Sequence, residues 1–399
     1  MSWLWKNFGF MKGMRLSLVL LFLFTKIFCF AGDSLNIPKS IWVIQPQEHF
    51  GTLVKINTTF PSSEFTLLNE LRISKQTTGS REWHQLYHYP QVGCSFIYGY
   101  LGNTTVLGQN FAVIPDLSFE THNNRRWMFQ TRFGFGFSYF TKHYDAIHNP
   151  ENNVIGASIT AMTFISEDFT YKISGSLNAN LGISAFHCSD GHYQLPNLGA
   201  NIPSVNIGVS YFLKPLPTFY YHDSVAKPSK KPLLNIFAGY GRHEFGSATK
   251  PTGGPKYPVF QGGIYVSKRH GRIHNLQAGV SYTYFTDYYD FIVNEEYFNS
   301  RQHLKASVIT VFWGDEFMIG KFGLLAQTGV NVYTPFLAKY RASRNDNDFL
   351  SLYVTNKIGV QYYMLDPTLH PRKNIYIGLY MKAHFGTADF AEAGLGYTF

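Results

Sequence analysis

Hydrophobic and polar residues alternate with a period of two along most of this chain. The clearest run is the predicted strand 127–140, in which Phe, Tyr and Thr fill every second position from 129 to 139 and Gln, Arg, Gly and Ser lie between them. This alternation predicts a β-strand with one apolar and one polar face. Because a narrow soluble core could not easily hold Gln, Arg and Ser, the pattern favours a membrane barrel with lipid outside and a polar interior.

The same pattern predicts about sixteen strands in the whole chain. In the first half they are expected at 52–60, 64–75, 91–101, 107–121, 127–140, 154–165, 171–189 and 202–213. In the second half they are expected near 233–245, 257–268, 274–287, 302–313, 322–333, 349–364, 375–385 and 389–399. Residues 32–50 are predicted to be an irregular lead, Ser166–Phe169 a short turn, and Pro115 a break or bulge within its strand.

The predicted connections alternate in length, as in outer-membrane barrels. Short turns are expected at 268–272 and 314–316, and long loops at 288–300 and 334–348. The chain closes with apolar residues at alternate positions up to Phe399. This ending resembles the C-terminal signal that the barrel-assembly machinery reads, and we expect that machinery to be a partner.

The expected fold class is therefore an all-β, antiparallel transmembrane β-barrel of the outer membrane. The strands could form one barrel of about sixteen strands or two eight-stranded units. A single barrel is favoured, because duplication of hairpins normally enlarges one closed sheet. The linker 214–232, which is rich in Pro and Lys, keeps the second arrangement open.

Composition agrees with this interpretation and adds a targeting segment. Aromatic residues make up 17% of the chain although the mean hydropathy is only −0.12, so apolar residues alternate and do not form long runs. Residues 1–31 are predicted to be a signal peptide, since basic residues precede the apolar run 16–24 and a small-x-small site ends at Ala31. The mature chain should then begin near Gly32.

Several other functional classes receive no support from the sequence. The chain has a formal net charge of +9, but the expected outer-membrane location of a Gram-negative cell excludes a nucleic-acid role. Neither HExxH nor CxxC occurs, so we expect no metal and no cofactor. Cys94 and Cys188 could pair in an oxidising compartment, or both could remain free thiols.

Candidate chemistry is concentrated in the segment 177–201. An apolar stripe at alternate positions from Leu177 to Ala185 continues in phase into His187 and Ser189. A nucleophile and a candidate base therefore lie side by side on the face expected to meet lipid. A bare H-x-S triplet has little weight, since about one is expected by chance in such a chain. The alternative interpretation is a polar strand end at the membrane interface.

The wider motif strengthens the functional interpretation. His187-x-Ser189-x-Gly191, followed by Pro196-Asn197-x-Gly199, resembles the signature of the PagL-type outer-membrane lipid A 3-O-deacylases, also called acyloxyacyl hydrolases. The resemblance is best over about 90–213. It implies an eight-stranded unit with a serine-hydrolase site on its outer wall, in which Ser189 is the nucleophile, His187 its base, and Asn197 part of the oxyanion hole. Gly191 and Asp190 would help to position the substrate and the oxyanion.

The sequence departs from the family pattern at two positions. Asn201 stands where the family has the glutamate that orients the histidine. Its amide oxygen can accept the ring N–H of His187 across the hairpin, but it supplies no charge to an imidazolium. Asp190 stands where the family usually has Asn, and a carboxylate near a developing oxyanion would be harmful unless it turned away.

These observations predict residues 32–213 as the half that carries the site and 233–399 as a scaffold half without a catalytic group. The expected activity is that of an outer-membrane serine esterase that removes an ester-linked acyl chain from lipid A of lipopolysaccharide. Lipid A and outer-membrane lipids are then the expected partners. The alternatives are a porin-like channel or a structural barrel, in either of which the motif would be an inactive relic.

Overall fold

The computed structural model describes residues 40–399, apart from 124–125, 216–218, 223–224, 251, 346–347 and 386. The predicted signal peptide 1–31 and the expected mature N-terminus at Gly32 lie outside the described residues.

The described residues form sixteen antiparallel strands arranged as two closed barrels of eight strands each. The first barrel contains β1 (Ile41–Thr52), β2 (Phe65–Gln76), β3 (Gln91–Tyr100), β4 (Gln109–Asn123), β5 (Trp127–Phe140), β6 (Ile159–Lys172), β7 (Leu177–Ser189) and β8 (Ala200–Phe212). The second contains β9 (Leu233–Glu244), β10 (Lys256–His270), β11 (His274–Phe285), β12 (Ser307–Ile319), β13 (Phe322–Tyr333), β14 (Val354–Tyr363), β15 (Asn374–His384) and β16 (Thr387–Thr398).

The predicted all-β fold is confirmed, and the arrangement is the one with two eight-stranded units. The preference for one large barrel is wrong. The reason is that β8 pairs along its length with β1, from Val43 opposite Phe212 to Gly51 opposite Ser204. This pairing leaves the first sheet no free edge to which β9 could add, and β9 instead closes the second barrel by pairing with β16.

Three boundary predictions in the first half are also wrong. The expected irregular lead contains β1, and most of the strand expected at 52–60 is a loop. Ser166–Phe169 lies inside β6 and is not a turn, because Ser166 and Asp168 turn inward and contact Arg132. The strand of the motif accordingly begins at Leu177. The effect of Pro115 is small: β4 continues through it and pairs with β3 there, but the β4–β5 ladder has no pair at 114–115.

Five short helices accompany the strands among the residues that the structure describes. They are α1 (Glu82–Leu86), α2 (Thr286–Asn294), α3 (Gln302–Lys305), α4 (Pro335–Ala342) and α5 (Phe349–Tyr353). None of the helices in the described part of the chain is long and apolar enough to cross a membrane.

Each barrel is apolar outside, and its interior holds many polar side chains together with a cluster of buried apolar ones. On β5 and β7 the predicted outward residues Phe133 and Ile183 are exposed, Ile183 to 65%, whereas the inward residues Gln130 and Asn180 are almost completely buried. Large exposed apolar side chains continue around the outer faces of both barrels. Such a surface is stable only against an apolar medium, so the outer faces match a lipid environment.

The interior of the first barrel is filled by a network of charged side chains. Arg132 donates to both carboxylate oxygens of Glu70, at 2.8 and 3.0 Å. His49 Nε2 lies 2.7 Å from the same carboxylate, and Arg72 pairs with Asp116 at 2.7 Å. Charged groups can be buried when they are paired and hydrogen-bonded. Here such pairs occupy the narrow interior of an eight-stranded barrel.

The second barrel has a comparable interior. Lys357 Nζ pairs with Glu392 at 3.0 Å, and Tyr363 donates to Glu316 at 2.9 Å. Side chains rather than an open passage therefore occupy the middle of this barrel as well.

The two barrels contact each other beside α1, at the end of the first barrel opposite Ser189. Tyr87 donates its hydroxyl to the carbonyl oxygen of Met318 at 2.5 Å. Glu82 holds the connecting segment 214–232 by accepting from the N–H of Ala226 at 2.8 Å. A second contact, at the other end, involves the candidate site and is described below.

The charge network predicts a large effect of a single substitution in the first barrel. Glu70→Ala leaves Arg132 buried without its main partner, so the free energy of unfolding should fall by about 3–5 kcal/mol. The urea concentration at which the purified, micelle-bound protein unfolds measures this change. Glu64→Ala, at an exposed loop position, is the control and should be close to neutral. Equal midpoints for the two variants would contradict the assigned role of the network.

Candidate active site

The β7–β8 hairpin and its connecting loop hold all the candidate residues. In the ladder His187 lies directly opposite Asn201, and Ser189 is the last residue of β7. The loop 190–199 carries the others. Gly191 and Gly199 near its two ends have φ angles of 66° and 75°, which glycine adopts without the strain that a Cβ would cause.

The ring of His187 is oriented by Asn201. The distance from His187 Nδ1 to Asn201 Oδ1 is 2.7 Å. Because the amide oxygen can only accept, Nδ1 donates and Nε2 is left as the basic nitrogen. His187 is exposed on the outer wall, as expected. Among the described residues no hydrogen bond joins it to Ser189.

Two donors converge on the hydroxyl oxygen of Ser189. Asn197 Nδ2 lies 2.9 Å from Oγ, and the backbone N–H of Gly191 donates to it at 3.2 Å. Donors in this position can stabilise negative charge that develops beside the serine. Ser189 is only 8% exposed, whereas His187 is exposed, so the serine is less accessible than its expected place on the lipid-facing side suggests.

Asp190 is buried next to the serine. The backbone N–H groups of residues 192–194 and the more distant Lys256 favour its charged form, but neither carboxylate oxygen has a hydrogen bond of normal geometry. Burial therefore raises the pKa of Asp190 to about 7. At or below neutral pH, Asp190 is uncharged in much of the protein population. An uncharged carboxyl does not repel a developing oxyanion, so the problem expected from the sequence does not arise in those molecules.

An apolar stripe runs along the outer wall below the site. Leu181 and Ile183 on β7 and Val205 and Ile207 on β8 are all exposed and adjacent in the ladder. The stripe leads toward His187 and Ser189, so an alkyl chain lying against the barrel could end near the serine.

The second barrel forms part of the site, which no pattern in the sequence indicates. The N–H of Asn197 donates to the carbonyl oxygen of Ala248 at 2.8 Å. Burial lowers the pKa of His192, and its neutral ring donates from Nε2 to Gly246 at 3.2 Å. Met381 of β15 lies against Gly191, where a side chain could be added only if the end of Met381 moved. The contacting loop has no motif, so no local pattern could have identified it.

Two family models match the chain. The model described as lipid A 3-O-deacylase (PagL) matches residues 69–210, and the model described as acyloxyacyl hydrolase, C-terminal domain, matches residues 233–399. Together they cover most of both barrels. No curated protein matches the chain.

Several solved structures of outer-membrane proteins are similar to the chain. The outer membrane enzyme PagL has 14% identity and a TM-score of 0.31, with 42% of this chain and 97% of that chain covered. A Rhodopseudomonas blastica porin triple mutant has 7% identity and a TM-score of 0.17, with 90% and 100% covered. An outer membrane channel from Pseudomonas putida F1 has 8% identity and a TM-score of 0.16, with 93% and 100% covered.

The buried Asp190 predicts a pH-dependent stability. Its pKa is raised from 3.8 to about 7 in the folded protein, so between these values the unfolded chain releases the proton first and stability falls as pH rises. From pH 5 to pH 8 the wild type should lose about 2–3 kcal/mol relative to Asp190→Asn, which cannot ionise.

Urea unfolding midpoints of the two proteins at pH 5 and pH 8 measure this difference. Asp290→Asn, at an exposed position of α2, is the matched control and should follow the wild type at both pH values. A difference between wild type and Asp190→Asn that does not change with pH would show that the carboxyl is already ionised at pH 5.

Proposed function

Since the chain belongs to the PagL-type family of outer-membrane lipid A 3-O-deacylases, we propose that it is a serine esterase that removes an ester-linked acyl chain from lipid A of lipopolysaccharide. The arrangement around Ser189 carries this proposal. Its hydroxyl oxygen has two hydrogen-bond donors, and His187 beside it is oriented by Asn201.

The outer membrane is the location that suits this activity. The esters of lipid A lie at the boundary between headgroups and acyl chains, and an active site on the outer wall reaches them without transferring lipid into water. The exposed stripe formed by Leu181, Ile183, Val205 and Ile207 would hold the acyl chain. Assembly of the barrels by the barrel-assembly machinery remains a prediction from the C-terminal sequence.

The reaction follows from the roles of these groups. The Ser189 oxygen attacks the ester carbonyl carbon while His187 Nε2 accepts the hydroxyl proton. Asn197 and the N–H of Gly191 stabilise the negative charge on the tetrahedral intermediate. His187 then gives the proton to the leaving sugar oxygen, and water activated by the same ring hydrolyses the acyl-enzyme.

His187 and Ser189 are two residues apart on one strand, so their Cα atoms are about 6–7 Å apart. This spacing lets the imidazole reach the hydroxyl after a small side-chain rotation. A missing hydrogen bond in the substrate-free protein is compatible with this role, because such bonds often tighten only when substrate is bound.

Asn201 would act as the third member of the site. Its oxygen keeps Nδ1 protonated and fixes the ring, as in Cys-His-Asn enzymes. An amide does not stabilise the imidazolium as a carboxylate does, so the rate should depend more on ring orientation than on charge.

The channel alternative has little structural support. Buried charged and aromatic side chains occupy the interiors of both barrels, including Arg132 in the first and Lys357 in the second. A liposome swelling assay tests this point, and we expect no uptake of small sugars above that of protein-free vesicles.

The proposal predicts that Ser189→Ala and His187→Ala each abolish deacylation while both barrels still assemble. Losing either residue should cost about as much as losing both, because a nucleophile and its base act as a unit. Mass spectrometry of lipid A from cells with and without each variant measures the loss. Ser210→Ala, which removes a buried serine hydroxyl from β8, is the control. Full activity of Ser189→Ala would overturn the esterase proposal.

Asn201 gives a separate prediction. Asn201→Ala should lower the rate by a smaller factor than the loss of His187, because the ring keeps its base but loses its orientation. Asn201→Glu restores the residue of the family pattern and should keep or raise the rate. Deacylation rates on purified lipid A distinguish these outcomes, and wild-type rates for both variants would remove Asn201 from the site.

A further inference from the structure

Glu244, the last residue of β9, lies at the contact between the second barrel and the loop 190–199. Its carboxylate is completely buried. Oε2 accepts from the N–H of Leu195 at 3.0 Å and from Lys256 Nζ at 2.6 Å. Oε1 accepts from the N–H of Gly254 at 2.6 Å. One side chain of the second barrel thus joins the loop of the candidate site to the loop that connects β9 and β10.

Main-chain hydrogen bonds run beside this carboxylate. The N–H of Glu244 donates to the carbonyl oxygen of His192 at 3.1 Å, and the N–H of Asn197 donates to Ala248 at 2.8 Å. Leu195, which Glu244 binds, is two residues before Asn197. The second barrel therefore holds the backbone on which the Asn197 side chain is carried.

The first barrel holds a different part of the loop. It binds the two residues after Asn197, through the N–H groups of Leu198 and Gly199 to Asn153 and Val154. Within the segment 192–197, the backbone of His192, Leu195 and Asn197 is hydrogen-bonded to the second barrel. The distance from Asn197 Nδ2 to Ser189 Oγ thus depends on both barrels.

We propose that Glu244 is a positioning residue for the deacylation site. It fixes the segment 192–197 so that Asn197 remains within donor distance of Ser189. The inference rests on the proposed esterase function and deepens it, because it gives the second barrel a role in the reaction although no residue of that barrel needs to touch the substrate. It also predicts that residues 233–399 are required for full activity, although they are expected to lack a catalytic group.

The expected kinetic effect follows from the loss of one well-placed donor. Removing an oxyanion-hole donor lowers kcat by about a hundredfold to a thousandfold in serine hydrolases, and displacing it costs part of that. We therefore expect Glu244→Ala to lower kcat about tenfold to a hundredfold. KM should change little, because the stripe on β7 and β8 that would hold the acyl chain does not include the loop.

The experiment uses the full-length protein in detergent micelles. Glu244→Ala removes the acceptor of Leu195, whereas Glu244→Gln keeps one acceptor oxygen and should lie between Ala and wild type. Glu392→Ala is the matched control, because Glu392 is also buried in the second barrel and bound to a lysine, Lys357, but makes no hydrogen bond to the loop 190–199. The readouts are kcat and KM on lipid A, and hydrogen–deuterium exchange of peptides that cover 190–199.

The proposal expects a lower kcat and faster exchange at 190–199 in Glu244→Ala, a smaller change in Glu244→Gln, and neither change in Glu392→Ala. Exchange at 190–199 equal to wild type in Glu244→Ala would overturn it. Equal losses in Glu244→Ala and Glu392→Ala would also overturn it, since they would show a general effect of destabilising the second barrel.

The exchange measurement separates this inference from the proposed function. Exchange at 190–199 shows whether Glu244 restrains the loop, whether or not the protein is an esterase. The same measurement can be made in a protein that also carries Ser189→Ala. Full activity of Ser189→Ala would overturn the esterase proposal while leaving the exchange result to decide whether Glu244 positions the loop.

Discussion

In an apolar medium every backbone N–H and C=O must find a partner within the protein, and this requirement governs the whole architecture. A sheet can meet it only by closing on itself. The pairing of β1 with β8 and of β9 with β16 closes the two sheets separately, so neither barrel has an open edge. The division of the chain into two units follows from these two pairings.

Closure also decides where polar and apolar side chains go. The outer faces carry exposed Phe, Tyr, Ile and Leu, while Arg132, Glu70 and their neighbours fill the interior of the first barrel. Because the interior is filled by its own hydrogen-bond network, chemistry is left to the outer wall and to the loops at the strand ends. The candidate site lies at such a strand end, where a lipid-facing stripe meets a polar loop.

The site needs more than one barrel can supply. The hairpin aligns His187 with Asn201, and the first barrel holds Gly199, but the segment around Asn197 rests on β9 and the loop that follows it. The separate matches of the two halves to two models of related description fit this division. In the proposed mechanism, the second barrel supports the loop 190–199.

Much of the fold and part of the site could be predicted from the sequence, because those features are local. The period of two fixed which side chains share a face, and the position of the family glutamate indicated that Asn201 lies across the hairpin from His187. The same period-two pattern also predicts the number of strands. By contrast, Ser166 and Asp168 lie inside β6 and not in the predicted turn, since a polar residue in a barrel strand can mark the interior as well as a connection.

What the tertiary structure alone decided depends on contacts between segments distant along the chain. Closure into two barrels depends on which strand edges meet, and a period of two is identical in both arrangements. The burial of Ser189 depends on how the loop 190–199 folds over it. The contact of Glu244 with Leu195 joins residues 49 positions apart through a buried carboxylate, and no spacing or motif in the sequence records that meeting.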